Sequence, residues 1–247
     1  MDIFLGFVLL DEVKWDREQL VRDLRNDWDM DISGEISSGE DSHALITAIG
    51  DVRLVFSLMD APVPNGKAEY YARGNYMWKE AIEVTGRHKA HIMIAATSKG
   101  NALECANCYV KAAASCLKQK HAIALYSEGA VYQPKFFIEM AQTIKKGVFP
   151  IFNTIWFGFY RDKEKIGFYT YGMKKFDKEE IEVYVSYAGN TELNDIREFI
   201  ADVCSYVIEN DVTLKGGDTI GFSKDQKLPI TYSDGIALDG KTLKIRY

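Results

Sequence analysis

The sequence predicts an α+β fold in which a ferredoxin-like N-terminal half packs on a β-rich, mainly antiparallel C-terminal half. Nearly half of the 247 residues are hydrophobic, which is enough for a sizeable core. Patterns typical of strands and helices alternate as βαββαβ in the N-terminal half, and short aromatic or glycine-bounded strands dominate the rest. The length fits one large domain or two small ones. We expect a single domain with residues 1–147 and 148–247 as its subdomains.

The first two elements are a strand and a helix. Residues 3–10 form an apolar run rich in strand formers. Asp16 then stands where a helix N-cap is expected, three residues before Gln19, as in a capping box. Apolar side chains recur at every fourth position after it, at Leu20, Leu24 and Trp28.

A hairpin, a helix and a further strand are predicted next. Residues 44–49 and 52–59 are apolar runs separated by Gly50-Asp51, which is typical of a β-hairpin. Residues 91–97 form another strand. Between them we expect a helix, weakened at Gly74, with three inward side chains: Tyr71, Trp78 and Ile82.

The helix over residues 102–119 is predicted to be central, with Asn101 as its N-cap. Its polar side chains fall on one narrow stripe, and most of the remaining circumference is apolar. A stripe that narrow indicates burial against two neighbouring elements. The stripe consists of Glu104, Asn107, Lys111, Ser115 and Lys118.

The C-terminal half is predicted to be mostly strands. Seven aromatic residues fall between Trp156 and Tyr171 in two runs, which indicates a hairpin. A strand is expected over 181–187 and a long helix over 192–209. Glycine-containing turns then separate three or four short strands in the tail. A subdomain boundary fits near Gly147–Pro150.

Charge and composition exclude some classes of function. The net charge of −6 argues against non-specific binding of nucleic acid. No apolar run approaches the length of a membrane span, and the N-terminus lacks the basic stretch of a signal peptide. Four cysteines in a chain of this length do not suggest a disulfide framework. We therefore expect a cytoplasmic protein that binds neither nucleic acid nor membrane.

The acidity is concentrated in one segment. Residues 11–41 hold eleven acidic and four basic side chains, whereas the rest of the chain is close to neutral. A solvated face explains this pattern. The alternative is an acidic surface that steers a basic partner.

The sequence offers one candidate site for a small anion. Residues 96–100 resemble a nucleophile elbow between a strand and a helix, but His121 is the only downstream histidine and lies too close for a catalytic triad. Ser98, Lys99 and Gly100 are instead expected to receive an anion at the helix start, or simply to cap the helix. Arg73 and Trp78 are candidates for a second wall of a ligand pocket. Structural hydrogen bonding is the alternative there.

Three other motifs lack the context that their chemistry needs. Gly235–Thr242 matches the P-loop pattern, but a strand rather than a helix follows it. Cys105 and Cys108 form a C-x-x-C motif beyond the first turn of a helix, which favours core packing over redox or metal chemistry. Residues 27–38 begin like a calcium loop but lack its turn glycine and its final glutamate. We expect no metal and no cofactor.

The tail resembles a known family. Leu214–Gly221, followed by Gly235 and then Asp239–Leu243, is similar to the C-terminal signature of bacterial proteins that carry the domain of unknown function 4261. The opening Gly6–Leu10 is similar to how such proteins begin. This resemblance implies a bacterial cytoplasmic protein of undetermined activity, and it assigns no catalytic residues.

Two hypotheses about function follow. The first is a non-enzymatic protein, of an immunity or accessory type, that acts by binding another protein through residues 11–41. The second is a small anionic-ligand binder or an enzyme with a pocket between the two halves. Its candidate ligand-binding residues are Arg73, Trp78, Ser98, Lys99 and Gly100.

Overall fold

The chain forms two compact units, Met1–Thr154 and Ile155–Tyr247, in a computed structural model. Each unit combines helices with a six-stranded, mainly antiparallel sheet. The predicted α+β class is therefore confirmed. The structure describes these parts of the chain: residues 2–32, 44–127, 129–186, 192–222 and 226–247.

The N-terminal unit contains six strands and six α-helices among the described residues. The strands are β1 (Asp2–Leu10), β2 (Ala44–Ile49), β3 (Val52–Met59), β4 (Ala90–Ser98), β5 (Ala122–Ser127) and β6 (Ala130–Tyr132). The helices are α1 (Arg17–Trp28), α2 (Lys67–Ala72), α3 (Ala81–Thr85), α4 (Ala102–Cys116), α5 (Pro134–Ala141) and α6 (Ile151–Thr154). Short 3-10 turns occupy Pro64–Gly66 and Gln142–Lys146.

The ferredoxin-like arrangement predicted for this half is not confirmed. The strand order is β2-β3-β4-β1-β5-β6, and every neighbouring pair is antiparallel. A ferredoxin-like half is built from split βαβ units. Helix α4 joins β4 to β5 in such a unit, with β1 between the two strands. Helix α1 leads from β1 to the β2–β3 hairpin, of which β2 is the edge strand of the sheet. The sequence pattern gave the order of elements, whereas the choice of strand partners depends on contacts that are distant in sequence.

The sheet of the N-terminal unit has two differently covered faces. The first face carries Phe4 and Val8 and packs against α4, where the Phe4 and Tyr109 rings lie 6.0 Å apart. The second face carries the alternate side chains, including Leu5 and Phe7. Helices α2 and α3 contact its β5–β6 end. The other end of the second face leaves Leu5 exposed.

The helix predicted around Trp78 is two helices, α2 and α3. The side chain of Asn75 accepts hydrogen bonds from the backbone N–H groups of Met77 and Trp78, at 3.1 and 3.0 Å. These bonds satisfy the backbone in a turn rather than in a helix. Trp78 is buried as predicted, but Ile82 is half exposed because the break rotates α3 relative to the expected helix.

The caps predicted for the two main helices are present. Asp16 accepts a hydrogen bond from the backbone N–H of Gln19 at 2.8 Å, and Asn101 accepts one from Glu104 at 3.1 Å. Helix α4 contacts α1 and α5 as well as the sheet. Its neighbours therefore cover most of its surface. Trp28 of α1 donates to the Ser115 hydroxyl of α4 at 3.1 Å.

The C-terminal unit contains the second sheet and a long helix. Its strands are β7 (Trp156–Arg161), β8 (Lys165–Tyr171), β9 (Ile181–Ser186), β10 (Thr219–Ile220), β11 (Leu228–Asp234) and β12 (Lys241–Arg246). Helix α7 spans Leu193–Glu209, and a 3-10 turn spans Met173–Phe176. The order is β10-β11-β12-β9-β8-β7, with β12 and β9 parallel and all other neighbours antiparallel.

The aromatic hairpin and the long helix of this unit agree with the sequence analysis. The β7–β8 pair runs from Trp156–Tyr171 to Arg161–Ile166, and Phe157 and Phe168 are buried. Helix α7 contacts β8 and β9. Among the described residues, none of the helices combines the length and apolar character that crossing a lipid bilayer demands.

Candidate functional site

A cavity of about 500 Å³ opens on the second face of the N-terminal sheet. Four neighbouring strands supply its floor, and the segment 61–67 that follows β3 supplies a wall. Its volume falls within the range of small-molecule sites in proteins. The floor consists of Leu5 and Phe7 of β1, Met59 of β3, His91 and Met93 of β4, and Tyr126 of β5.

An aromatic stack fixes one side of the cavity. The rings of Phe7 and Tyr126 lie 5.6 Å apart at an interplanar angle of 16°. Tyr71 of α2 packs on Tyr126 at 5.7 Å and 20°. The stack continues into a buried cluster that contains Val63 and Trp78. Because Tyr71 and the buried cluster pack against these rings, we expect the cavity to keep its shape without a ligand.

His91 is a buried polar group of the cavity floor. Its Nδ1 lies 2.8 Å from the carbonyl oxygen of Ala61, which can only accept a hydrogen bond. Nδ1 therefore carries the proton, and Nε2 is the ring nitrogen left to accept one. Burial lowers the pKa of His91, although the bond to Ala61 opposes this shift. The neutral imidazole is thus a hydrogen-bond acceptor at the cavity.

A second histidine holds the same wall. His88 Nε2 accepts a hydrogen bond of 2.9 Å from the backbone N–H of Val63, two residues after Ala61. This bond places the proton of His88 on Nδ1, which is directed at the carbonyl of Thr85. Both histidines therefore secure the cavity wall as neutral Nδ1–H tautomers.

Acid is expected to destabilise the N-terminal unit through His91. The unfolded chain binds a proton at the ordinary histidine pKa of about 6.5, whereas the folded chain binds it only at lower pH. The unfolded state then holds more protons in that interval, so the free energy of unfolding falls as the pH drops below about 6.5. Urea unfolding between pH 7.5 and 5 measures this slope.

The matched controls for this prediction are two single variants. His91→Asn should flatten the pH dependence, whereas His121→Asn should retain the part that His91 causes. His121 lies beside Asp11, away from the cavity, with Nδ1 3.0 Å from the carboxylate. An unchanged slope in His91→Asn contradicts the assignment of the pH dependence to the cavity histidine.

The start of α4, which was predicted to receive an anion, binds the carboxylate of Asp2 from the same chain. Ser98 donates to the carboxylate of Asp2 at 2.8 Å, and the backbone N–H of Gly100 donates to the same oxygen at 3.0 Å. The hydrogen bond from Ser98 is the largest effect on the pKa of Asp2 and lowers it; burial opposes this effect, and the hydrogen bond from Gly100 adds a smaller lowering. Lys99 is exposed beside them. Asp2 thus occupies the position that was predicted for a ligand.

The structure does not bring the five predicted ligand-binding residues together. Ser98 belongs to the first face of the sheet, whereas Trp78 packs in the cluster beneath the second face. Arg73 is exposed at the end of α2. Asn75, two residues after Arg73, donates to the carbonyl of Val131 at 2.7 Å, which is a structural bond. Only Trp78 approaches the cavity, through the cluster it shares with Val63.

The cysteines of the C-x-x-C motif are core residues. Cys105, Cys108 and Cys116 are buried on α4. Burial raises the pKa of the Cys108 thiol to about 11 and raises the pKa values of the other two. Thiols of this kind are poor nucleophiles. The part of the chain that the structure describes contains no group of three or more residues suited to hold a metal ion.

The acidic segment is described only over residues 11–32. Several of its carboxylates have basic partners there: Asp27 pairs with Lys118, and Glu12 pairs with Lys14 at 2.9 Å. Asp27 is the first carboxylate of the calcium-like motif, and it pairs with Lys118. Ser38, at the end of that motif, lies outside the described residues. Glu18 pairs with Arg22 at 3.6 Å, although its side chain is almost fully exposed.

Comparison with known proteins concerns the C-terminal unit. Residues 169–246 match the model of a protein family, the domain of unknown function DUF4261. The resemblance found in the tail is thereby confirmed. The DUF4261 match begins within β8 and ends at the last residue of β12. No curated protein and no solved structure matches the chain.

The DUF4261 region contains a buried carboxylate in a loop of backbone amides. Glu182 of β9 is fully buried, and it accepts hydrogen bonds from the N–H groups of Ile236, Ala237 and Leu238 at 2.8–3.3 Å. This loop is the segment that matches the P-loop pattern. It connects β11 to β12 as a hairpin, as predicted, with Gly240 at a φ of +87°. Its amides bind the chain's own carboxylate.

Proposed function

We propose that the chain is a binding protein whose ligand is a small molecule held in the cavity on the second face of the N-terminal sheet. The observation that carries this proposal is the convergence of four strands on one concave, mainly apolar space that contains the acceptor nitrogen of His91. Binding sites for small molecules typically combine apolar walls with a few polar groups that fix orientation.

Binding is favoured over catalysis by the state of the nucleophilic side chains. Ser98 is bonded to Asp2 and has no histidine as its partner among the described residues. The thiols of Cys105 and Cys108 are buried, with raised pKa values. His91, the histidine of the cavity floor, is held at Nδ1 by a carbonyl rather than by the carboxylate of a catalytic dyad.

A tryptophan placed in the cavity is expected to weaken binding of an apolar probe about tenfold or more, a loss of roughly 1.4 kcal/mol. Leu5 lines the cavity and is partly exposed, so Leu5→Trp can fill the space without disturbing the first face. Ile3→Trp is the matched control, because Ile3 lies two residues away on the same strand and face but does not line the cavity. The probe is anilinonaphthalene sulfonate, followed by fluorescence titration.

The control separates cavity binding from general surface adsorption. Wild type and Ile3→Trp should bind one probe per chain with similar affinity, and circular dichroism should show that all three proteins are folded. Equal affinity in Leu5→Trp and Ile3→Trp would show that the probe binds elsewhere, which contradicts the proposed site.

The second candidate function is the non-enzymatic protein-binding role, of an immunity or accessory type in a bacterial cytoplasm. The observation that favours it is the exposure of Glu18, Asp29 and Asp31 along α1 and just after it, without basic partners at Asp29 and Asp31 among the described residues. Exposed charges of one sign accelerate association with a basic partner.

Charge-neutral variants test this second candidate. The triple variant Glu18→Gln, Asp29→Asn and Asp31→Asn should stay folded, since asparagine tolerates the left-handed conformation of Asp29. It should lose a partner that wild type captures from the native host at low salt. A triple variant at other exposed acids, Glu80→Gln, Glu83→Gln and Glu139→Gln, is the control. Equal capture by both triple variants contradicts a role for α1.

A further inference from the structure

The polar groups around the cavity have a one-sided distribution of charge. Lys67 lines it from the wall, and no aspartate or glutamate lines it among the described residues. Lys67 is exposed at the start of α2, and no ion pair joins it to another described residue. A lysine beside an apolar space without a neutralising carboxylate favours an anionic group on the ligand.

The floor of the cavity favours a hydrogen-bond donor. His91 is 4% exposed, so an unpaired polar atom there is costly unless water or a ligand satisfies it. The Ala61 carbonyl fixes the proton on Nδ1, and Nε2 can then only accept. A hydroxyl or N–H group on the ligand satisfies Nε2, whereas an ether or a carbonyl oxygen repels it.

The remaining surface is apolar and partly aromatic. Phe7 and Tyr126 offer ring surfaces, and Met59 and Met93 offer flexible side chains that adapt to the outline of a ligand. A flat hydrocarbon body matches this composition better than a sugar or a peptide, because both would bury polar groups against apolar side chains.

We infer that the ligand is a hydroxylated aromatic or alicyclic carboxylic acid, with its carboxylate at Lys67 and its hydroxyl at Nε2 of His91. This inference rests on the proposed function and adds the chemical class of the ligand. Lys67 then selects the anion at the rim, and His91 selects the donor at the floor. Each group contributes separately, so the two contributions to affinity should be nearly additive.

Four naphthalenes that differ only in these two groups test the inference by calorimetric titration. They are 6-hydroxy-2-naphthoate, 6-methoxy-2-naphthoate, 2-naphthol and 2-methoxynaphthalene. The first has both groups, the second lacks the donor, the third lacks the carboxylate and the fourth lacks both. We expect 6-hydroxy-2-naphthoate to bind most tightly, and loss of either group to weaken binding about tenfold.

Variants assign each preference to its residue. Lys67→Met should abolish the preference for the carboxylate and keep the preference for the hydroxyl, whereas Lys79→Met, another exposed lysine outside the cavity, should change neither. His91→Phe should abolish the preference for the hydroxyl. If His91→Phe does not fold, the ¹⁵N shift of Nε2 in wild type gives the same answer: it should move with the hydroxy acid and not with the methoxy acid.

The outcomes distinguish an error in the ligand class from an error in the proposed function. Equal binding of all four compounds, with anilinonaphthalene sulfonate still sensitive to Leu5→Trp, overturns the ligand class and leaves the proposed function intact. Loss of the site dependence of that probe as well overturns both. A preference for the carboxylate that survives in Lys67→Met also overturns the ligand class, as does a ¹⁵N shift of Nε2 that the hydroxy acid leaves unmoved.

Discussion

Replacing Glu182 with alanine is expected to destabilise the C-terminal unit by about 4 kcal/mol, the largest effect that we predict for a single residue in that unit. The carboxylate is fully buried and accepts from the backbone N–H groups of Ile236, Ala237 and Leu238. Alanine leaves these donors without an acceptor. Each unsatisfied buried donor costs roughly 1–3 kcal/mol, partly relieved where water enters.

Hydrogen exchange of the backbone amides measures this effect locally. In Glu182→Ala, the amides of residues 236–238 should lose protection first, and the amides of β9 and β12 should exchange faster by the factor that corresponds to the lost stability. Glu179→Ala is the matched control, because Glu179 is exposed near the start of the same strand. Exposed substitutions usually change stability by less than about 0.5 kcal/mol. Equal protection in the two variants contradicts the structural role of Glu182.

The hairpin that carries the P-loop pattern could be predicted from the sequence only in part. The five residues that follow Gly235–Thr242 alternate like a strand, and Asp239-Gly240 suits a turn, so the hairpin was predictable from local signals. The carboxylate that fills the amide loop was not predictable. Glu182 lies 54 residues before Ile236 in the chain, and a single glutamate in a strand carries no local signal of its acceptors.

The strand order of the N-terminal unit could not be predicted from the sequence, for a related reason. Apolar periodicity located β1 to β5 and helices α1 and α4 closely, because each pattern is local. The pairing of β1 between β4 and β5 depends on contacts between residues that are 80 or more positions apart in the chain. The ferredoxin-like expectation assumed one particular pairing of the strands, which apolar periodicity alone does not specify.

The cavity could not be predicted from the sequence, because its residues come from four strands and a loop. Leu5, Phe7 and His91 were placed within strands but not singled out. One signal was available: β1 is apolar at nearly every position, which indicates that both faces of its sheet meet apolar surroundings. Short motifs drew attention to Ser98 instead, and its hydroxyl is bonded to Asp2.

Trp78→Ala is expected to destabilise the N-terminal unit by about 3–5 kcal/mol, as large aromatic truncations in a core generally do. Trp78 was predicted as a ligand contact, but it packs in a buried cluster with Leu9, Val63 and Tyr126. Its loss leaves a void beside the aromatic stack that contributes to the cavity floor. Arg73→Ala, on the exposed end of α2, should change stability by less than about 0.5 kcal/mol.

Comparing stability with binding decides which role Trp78 has. Urea unfolding followed by far-ultraviolet circular dichroism gives the loss of stability, and titration with anilinonaphthalene sulfonate under native conditions gives the affinity. A core role predicts a large drop in the urea midpoint for Trp78→Ala and none for Arg73→Ala. A Trp78→Ala protein with the wild-type midpoint and no probe binding would instead make Trp78 a direct ligand contact.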